Sequence, residues 1–448
     1  MKKLAIKLIS LISTLCIILT ASAVSAGAIS YKNDVTVRSE AVLMVNRDID
    51  QVVFEKNADQ KRYPASTTKI MTYIIVYENI EDVDNTMVPI KQSIIDELLG
   101  TGSSLAGLYD HVGEKISVID LLYSMMVPSG NDAALALADY VGGGDVSKFV
   151  DMMNEKAKEL GCENTHFENP DGLHDDNHYT TARDMYKITT YALTLPRFFD
   201  ICNTTEYTCK GDDYPLITTN YLIDQYRGGE YYYRYAEGIK TGTTDEAGRC
   251  LVTTATADGH SYLLVLLGAP YKEGVQEEYY TFTDAADLFR WALVDLELQT
   301  VKSAQTPVCE QKIKLAWGRE SVNLLPDRNL NAIVPKDRKP ENIVVETSLP
   351  DVVEAPLSTD KPVGTATVYY VANGEKQELA TVNLVPSENI EKSGILVVLD
   401  VIGTIFQSYW FLIVIGLIIL ILIIYVIIAK IHRARVKRRR RVKKYRNF

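Results

Sequence analysis

Strand-like and helix-like patterns divide the long amino-terminal part of the chain. Apolar runs at 41–45 and 51–55, on either side of a polar Asn-Arg-Asp turn, predict a pair of adjacent strands. Helical spacing of apolar residues then dominates from 67 to about 195. Alternation returns at 250–257 and 261–267, and a helical pattern at 282–293 follows. Strands from both ends with helices inserted between them predict an α+β fold with an antiparallel sheet.

The pattern changes between 296 and 307. Short alternating runs at 322–325, 343–347, 364–371 and 377–384 lie between Pro, Asn, Asp and Gly positions, which predicts a small all-β domain over 307–386. No pairing of a nucleophile with a base occurs in this domain, so we expect a spacer or a docking module.

Both ends of the chain have membrane-related patterns. Residues 1–26 combine early lysines, an apolar middle and small residues at the end, as in a cleaved secretory signal peptide. Residues 387–408 form a juxtamembrane stretch, and 409–429 hold no charge and are long enough to cross a bilayer as a helix. The tail, 430–448, is basic, so we expect it to be cytoplasmic, with the catalytic part outside and one pass through the cell membrane.

Charge separates the tail from the rest. The net charge is −11, yet the tail has eleven Lys and Arg and no acidic residue, so the remainder is strongly acidic. Such a domain is not expected to bind nucleic acid. For the tail, contact with anionic membrane lipid explains the cations better than nucleic-acid binding does.

Cysteine and histidine usage predicts no metal and no cofactor. Five scattered cysteines remain after the signal peptide, an odd number that does not make a disulfide framework. Cys202 and Cys209 are close enough in sequence to form a disulfide, or to remain free. No C-x-x-C pair is present, and the segment 174–178 is more simply a polar loop than a metal site.

The chemistry centres on Ser66-Thr67-Thr68-Lys69, which follows Pro64 at a predicted helix start. Residues three apart on a helix share a face, so the Lys69 amine can reach the Ser66 hydroxyl. A serine needs an adjacent base to become a nucleophile, and a desolvated lysine can serve as that base. We expect burial and a second cation, Lys240, to lower the pKa of Lys69.

Two further motifs follow in order. Ser129-Gly130-Asn131 occupies a turn and offers a second hydroxyl and a carboxamide. The stretch Gly238-Ile239-Lys240-Thr241-Gly242-Thr243-Thr244 is predicted to open a strand, and it offers a cation, hydroxyls and a glycine, Gly242, that allows close approach. The sets S-x-x-K, S-D-N and K-T-G occur together in penicillin-binding proteins and class A β-lactamases. Each motif alone is weak, but the three in this order form a strong joint indication.

The chain most resembles the low-molecular-mass D-alanyl-D-alanine carboxypeptidases, which are penicillin-binding serine peptidases. The resemblance extends over about 28–386, and includes the segments 167–184 and 219–222, similar to the family's N-P-H-G-L…H-x-S-T-A-x-D and T-N-x-L. It implies a β-lactamase-like catalytic domain over 28–295. It also implies two partners, peptidoglycan stem pentapeptides ending in D-Ala-D-Ala and β-lactam antibiotics.

Residue roles follow from the chemistry and from the resemblance. Acyl transfer assigns Ser66 as nucleophile, Lys69 as base, and Ser129 with Lys240 as the proton path to the leaving D-alanine. The resemblance implies that Asn131 orients Lys69 and the substrate amide. It also implies an oxyanion hole at the amides of Ser66 and Thr243, and hydroxyls of Thr241 and Thr243 near the terminal carboxylate.

Two positions depart from the family pattern. Thr243 replaces the histidine of K-T-G-H-T, and Asp171 replaces the histidine of N-P-H-G-L. Both changes affect the expected specificity rather than the reaction class.

Three other functions remain as alternatives. A class A β-lactamase needs a glutamate over a deacylating water, but the segment around Glu168 is closer to the carboxypeptidase pattern. A membrane-bound β-lactam sensor needs a cytoplasmic output domain, for which 430–448 leaves no room. A non-catalytic wall-binding module would not need the full set of motifs. Carboxypeptidase, endopeptidase and transpeptidase action remain open at this point.

Overall fold

The computed structural model describes residues 31, 35–271, 278–372 and 374–445, so the predicted signal peptide, 1–26, lies outside the described residues. These residues form two compact units. The first contains the described residues up to Gln299 together with Asn331–Val344 and Val368–Ala380. The second contains Thr300–Leu330, Val345–Thr367 and the chain from Thr381 onwards. All of the candidate site residues belong to the first unit.

The described residues from 35 to 295 contain seventeen α-helices and β-strands. In chain order they are β1 (Ala41–Asn46), β2 (Gln51–Lys56), α1 (Lys69–Asn79), β3 (Met87–Pro89), α2 (Gln92–Leu98), β4 (Lys115–Ser117), α3 (Val118–Met126), α4 (Asn131–Val141), α5 (Val146–Glu159), α6 (Ala182–Ala192), α7 (Phe198–Cys202), β5 (Glu206–Tyr207), β6 (Leu216–Ile217), β7 (Ala236–Thr244), β8 (Gly248–Ala257), β9 (His260–Ala269) and α8 (Tyr280–Asp295).

The central sheet has five strands in the order β2-β1-β9-β8-β7, and every neighbouring pair is antiparallel. β1 pairs on both sides and all six of its residues are buried, as an apolar interior strand requires. The sheet is therefore made from the two ends of the region, with the helices inserted between them. The α+β prediction is confirmed.

Helix α1 lies in the middle of the helical layer. Its apolar residues Ile70, Met71, Ile74 and Ile75 are buried, and it packs against α4, α5 and α6. The small residues of α4, which include four buried alanines, let the helices approach closely. On the sheet, α8 packs against β8 and β9. This packing fixes the amino end of α1, where Lys69 lies, at the centre of the domain.

The described residues from 296 to 386 contain eight strands and no α-helix, which confirms the predicted all-β region. They are β10 (Leu296–Lys302), β11 (Cys309–Lys314), β12 (Ser321–Pro326), β13 (Leu330–Pro335), β14 (Ile343–Ser348), β15 (Val353–Glu354), β16 (Gly364–Ala372) and β17 (Glu375–Pro386). Six of them form a sheet in the order β14-β16-β17-β12-β11-β15, and β10 pairs with β13. The alternating runs had located β12, β14, β16 and β17.

Two apolar helices follow, α9 (Gly394–Gln407) and α10 (Tyr409–Tyr445). Among the described residues, one helix is long and apolar enough to cross a membrane, and its candidate span is Tyr409–Arg438. The predicted span, 409–429, is the apolar first part of this helix. Such a helix suggests that the carboxy-terminal end anchors the protein to a membrane.

The cysteines that could have formed a bridge are free. Cys202 and Cys209 are both buried thiols. Burial raises the pKa of each thiol, so neither is ionised at neutral pH.

Candidate active site

The Ser66–Lys69 pair lies at a change of helix type. A turn of 3-10 helix, Ala65–Thr68, leads directly into α1, whose first residue is Lys69. In a 3-10 helix the side chains at i and i+3 eclipse one another, which is a closer alignment than an α-helix gives. Lys69 Nζ is 2.9 Å from Ser66 Oγ, within hydrogen-bonding distance. The structure thus brings the predicted nucleophile and base together.

Three acceptors surround the Lys69 amine. Besides Ser66 Oγ, Lys69 Nζ donates to Asn131 Oδ1 at 2.6 Å and to the carbonyl oxygen of Asp171 at 2.7 Å. An ammonium has three N–H groups, so all three are satisfied. Lys69 is completely buried. The side chain therefore has one fixed position.

Burial lowers the pKa of Lys69 from 10.5 to about 8 because the charged amine is desolvated, while the charges of Asp171 and Asp132 oppose this shift. Burial and repulsion from the Lys69 amine hold the pKa of Lys240 well below its usual range.

The S-G-N turn places Asn131 within hydrogen-bonding distance of Lys69, and it places Ser129 on the wall of the cavity that Ser66 also lines. Ser129 has a left-handed backbone, with φ of 68°. Gly130 has no room for a side chain, since an added Cβ would lie 2.7 Å from Ala106 Cβ and Ser124 O. Asn131 is the first residue of α4. In the described part of the chain, no hydrogen bond joins Ser129 to Lys240, so the predicted proton path is not preformed.

Asp132, which lies just outside the S-G-N motif, holds the neighbouring loop. Its buried carboxylate accepts hydrogen bonds from the amides of Ala106, Gly107 and Leu108 at 2.8–3.1 Å. The Asn131 amide in turn donates to Ser104 O, at 2.8 Å. A lone acidic residue after S-G-N gave no sequence indication of this role, because the amides it binds are more than twenty residues away.

The stretch predicted to open a strand, 238–244, lies in β7, which begins two residues earlier at Ala236 and ends at Thr244. The pairing with β8 extends back to Ala236 beyond an irregularity between Glu237 and Lys240. Gly242 passes close to Ser66, because an added Cβ would be 2.9 Å from Ser66 N. Thr241 Oγ1 is 2.5 Å from Thr219 Oγ1, which belongs to the T-N-x-L segment.

A cavity of about 380 Å³ connects these motifs. Its walls include Ser66, Ser129, Thr241, Gly242 and Thr243, together with one cationic residue. That residue, Arg249, is opposite Thr243 in the β7–β8 pairing and was not predicted from the sequence. Its guanidinium is 3.7 Å from the centre of the Tyr279 ring and donates to Glu278 O at 3.1 Å. Arg249 directly precedes the alternating apolar run 250–257, and no sequence motif around it indicates a site residue.

The segment 167–178 contacts the turn that carries Ser66 from the other side. Glu168 N donates to His178 Nδ1, so His178 Nε2 carries the proton and donates to Thr68 Oγ1 at 2.8 Å. Burial lowers the pKa of His178 to about 3, which keeps the ring neutral. Gly172 lies against the turn before Ser66, where an added Cβ would be 2.0 Å from Ala65 O. Among the described residues, no His, Cys, Asp and Glu cluster could hold a metal.

Comparison with known families agrees with this geometry. The family model described as D-alanyl-D-alanine carboxypeptidase matches residues 28–271, more than half of the chain. A second model, the carboxy-terminal domain of penicillin-binding protein 5, matches residues 297–392.

The individual proteins that the chain resembles are also carboxypeptidases or penicillin-binding proteins by name. D-alanyl-D-alanine carboxypeptidase DacF of Bacillus subtilis is 26% identical over 370 residues, covering 80% of this chain and 87% of the relative. The D-alanyl-D-alanine carboxypeptidase of Streptomyces sp. strain K15 is 33% identical over 271 residues, covering 56% of this chain and 90% of the relative. The crystal structure of penicillin binding protein 5 from Haemophilus influenzae has a TM-score of 0.63 at 26% identity, covering 81% of this chain and 100% of that one.

The fold and the cavity are therefore those of a serine peptidase of the penicillin-binding class. The chain belongs to the D-alanyl-D-alanine carboxypeptidase family, as a low-molecular-mass penicillin-binding protein. Proteins of this class act on D-Ala-D-Ala peptides of peptidoglycan and bind β-lactams. The function implied by the sequence resemblance is confirmed.

Proposed function

We propose that Ser66 carries out this carboxypeptidase reaction through an acyl-enzyme. Ser66 Oγ attacks the carbonyl of the penultimate D-alanine, the peptide bond breaks, and the terminal D-alanine leaves as the amine. Water then hydrolyses the ester and regenerates the serine. The 2.9 Å contact between Ser66 Oγ and Lys69 Nζ is the observation that carries this proposal.

Lys69 would act as the base in its neutral form. A neutral amine has two N–H groups and one lone pair, whereas three acceptors surround Nζ. The bonds to Asn131 Oδ1 and Asp171 O can use the two N–H groups. The lone pair then faces Ser66 Oγ, and the serine becomes the donor. The two retained bonds aim the base at the nucleophile.

The remaining motif residues would handle the substrate. The amides of Ser66 and Thr243 would bind the developing oxyanion, and the hydroxyls of Thr241 and Thr243 would bind the terminal carboxylate. Arg249 lines the same wall and would add a charge-assisted bond to that carboxylate. Ser129 would pass a proton to the departing amine after a small movement toward Lys240.

Labelled penicillin tests the nucleophile. We expect one covalent adduct, and mass spectrometry of the digested protein should locate it at Ser66. Ser66→Ala should form no adduct, while Ser303→Ala, a change at another serine outside the cavity, should label like the wild type. An adduct elsewhere, or labelling of Ser66→Ala, would contradict the proposal.

We further propose that α10 crosses the cell membrane, with the catalytic domain outside and the basic tail inside. The uncharged segment 409–429 followed by eleven cations supports this orientation, because basic residues beside a span stay cytoplasmic. The tail cations would also contact anionic lipid headgroups on that side.

Protease added to intact cells tests the orientation. It should digest the catalytic domain and spare an epitope placed after Phe448. A chain truncated after Ser387 should be soluble and still cleave its substrate. Protection of the catalytic domain together with loss of the epitope would reverse the assigned sides.

A further inference from the structure

Asp171 is an ionisable residue beside the base that the reaction steps above do not use. Its backbone oxygen accepts the 2.7 Å hydrogen bond from Lys69 Nζ, and its side chain is also buried. One carboxylate oxygen accepts from Leu173 N at 2.9 Å. The residue thus contacts Lys69 through its backbone and places a carboxyl group in the same enclosed region, where a histidine stands in the family pattern.

We propose that Asp171 is a positioning residue whose carboxylate keeps the Lys69 ammonium charged at neutral pH and thereby sets the pH at which acylation begins. The proposal rests on the proposed role of Lys69 as the base. Opposite charges in a buried site stabilise each other, so removal of the carboxylate would release the proton from Lys69 at lower pH.

Other charged and titratable groups around Lys69 act differently. Asp132, on α4, also favours the ammonium, but its carboxylate is bound to four backbone amides and is held in place by the loop. Lys240, on β7, is repelled by Lys69. His178, on the loop 167–178, is neutral because burial holds its pKa at about 3. The Asp171 carboxylate also accepts from Leu173 N, but an asparagine there retains an acceptor oxygen, so Asp171→Asn removes the charge and can keep this contact.

The two groups titrate as a pair. Burial raises the pKa of Asp171 above its usual value, and the charge of Lys69 limits that rise. Burial lowers the pKa of Lys69 to about 8, and the charges of Asp171 and Asp132 limit that fall. The neutral amine is about one tenth of the total at pH 7 when its pKa is about 8. A pKa lower by about one would make the neutral amine about half of the total, roughly a fivefold increase.

The experiment measures the second-order rate of penicillin acylation from pH 5 to pH 10 for the full chain. Asp171→Asn should move the rising limb to lower pH and acylate several-fold faster than the wild type at pH 6–7. At pH 10 the two rates should converge, since the amine is neutral in both. Asp171→His, which restores the family's residue, should also move the rising limb of the pH–rate profile to lower pH. It provides a second test if Asp171→Asn folds poorly.

Asp176→Asn is the matched control, because it removes the same charge from the same loop at a side chain that is 91% exposed. Its profile should coincide with that of the wild type. An Asp171→Asn profile of unchanged position, even with a lower rate throughout, would overturn the inference and leave Asp171 with a structural role alone. Mass spectrometry of each adduct separates this result from failure of the proposed function, which would appear as wild-type protein unlabelled at Ser66.

Discussion

Lys69→Arg should fold and still fail to be acylated by penicillin. Arginine keeps the positive charge and can donate hydrogen bonds, but it cannot release its proton in the working pH range. The wild-type rate should rise with pH through about 8, the pKa that burial gives Lys69, because only the neutral amine accepts the serine proton. The variant should show no such rise. We expect a loss of at least about a thousandfold, or about 4 kcal/mol of activation free energy.

The control for this variant is Lys91→Arg, which changes a partly exposed lysine paired with Asp139 on the surface. It should acylate like the wild type, and thermal melting should show that both variants are folded. If Lys69→Arg reacted within about tenfold of the wild type, Lys69 would be an electrostatic support and another group would take the proton.

Gly172→Ala should displace Ser66 without replacing any of the proposed catalytic residues. The new Cβ would lie 2.0 Å from Ala65 O and 2.9 Å from Ser66 N, so the turn that carries Ser66 must move. Gly172 also has φ of +88°, which a side chain tolerates poorly. Displacement of a nucleophile by about 1 Å can cost about a hundredfold in rate. We expect that loss in penicillin acylation, with about 2–5 kcal/mol of lost stability.

Gly161→Ala separates backbone strain from the steric contact with Ala65. Gly161 also has a positive φ, +72°, but an added Cβ there meets no atom within 4 Å. The Gly161→Ala variant should lose only about 1–2 kcal/mol of unfolding free energy and retain its acylation rate. Urea unfolding and acylation kinetics on both variants make the comparison. Equal losses in the two proteins would show that backbone strain, and not the contact with Ala65, explains Gly172.

The fold was predictable where local pattern and burial agree. The runs in β1, β2, β8 and β9 alternate or are continuously apolar, so their pairing into one sheet followed from the strands lying at both ends of a helical region. By contrast, β10 follows α8 without a turn signal, and its residues are mostly half-buried or exposed. A strand with little buried apolar surface has little periodicity to detect.

Within the candidate site, sequence spacing predicted the contact between Ser66 and Lys69, which are close in the chain. It did not predict residues whose contacts are distant in sequence. Ser66 and Lys69 are three residues apart, so local helix geometry brings them together. Asp132 and Arg249 depend on loop amides and on strand register that only the folded chain defines. For the same reason β7 begins two residues before the predicted stretch, since its first residues are held by the pairing with β8 and not by their own pattern.

The close passage of Gly242 beside Ser66 N joins positions that are 176 residues apart in the chain. Helix α1 and the turn before it hold Ser66 and Lys69 by local geometry, whereas β7 reaches Ser66 only through the folded sheet. With the proposed oxyanion hole at the amides of Ser66 and Thr243, reaction with an antibiotic requires that β7 is in place. Covalent capture of penicillin can serve as a conformational reporter, since it counts the molecules whose sheet has closed over the nucleophile.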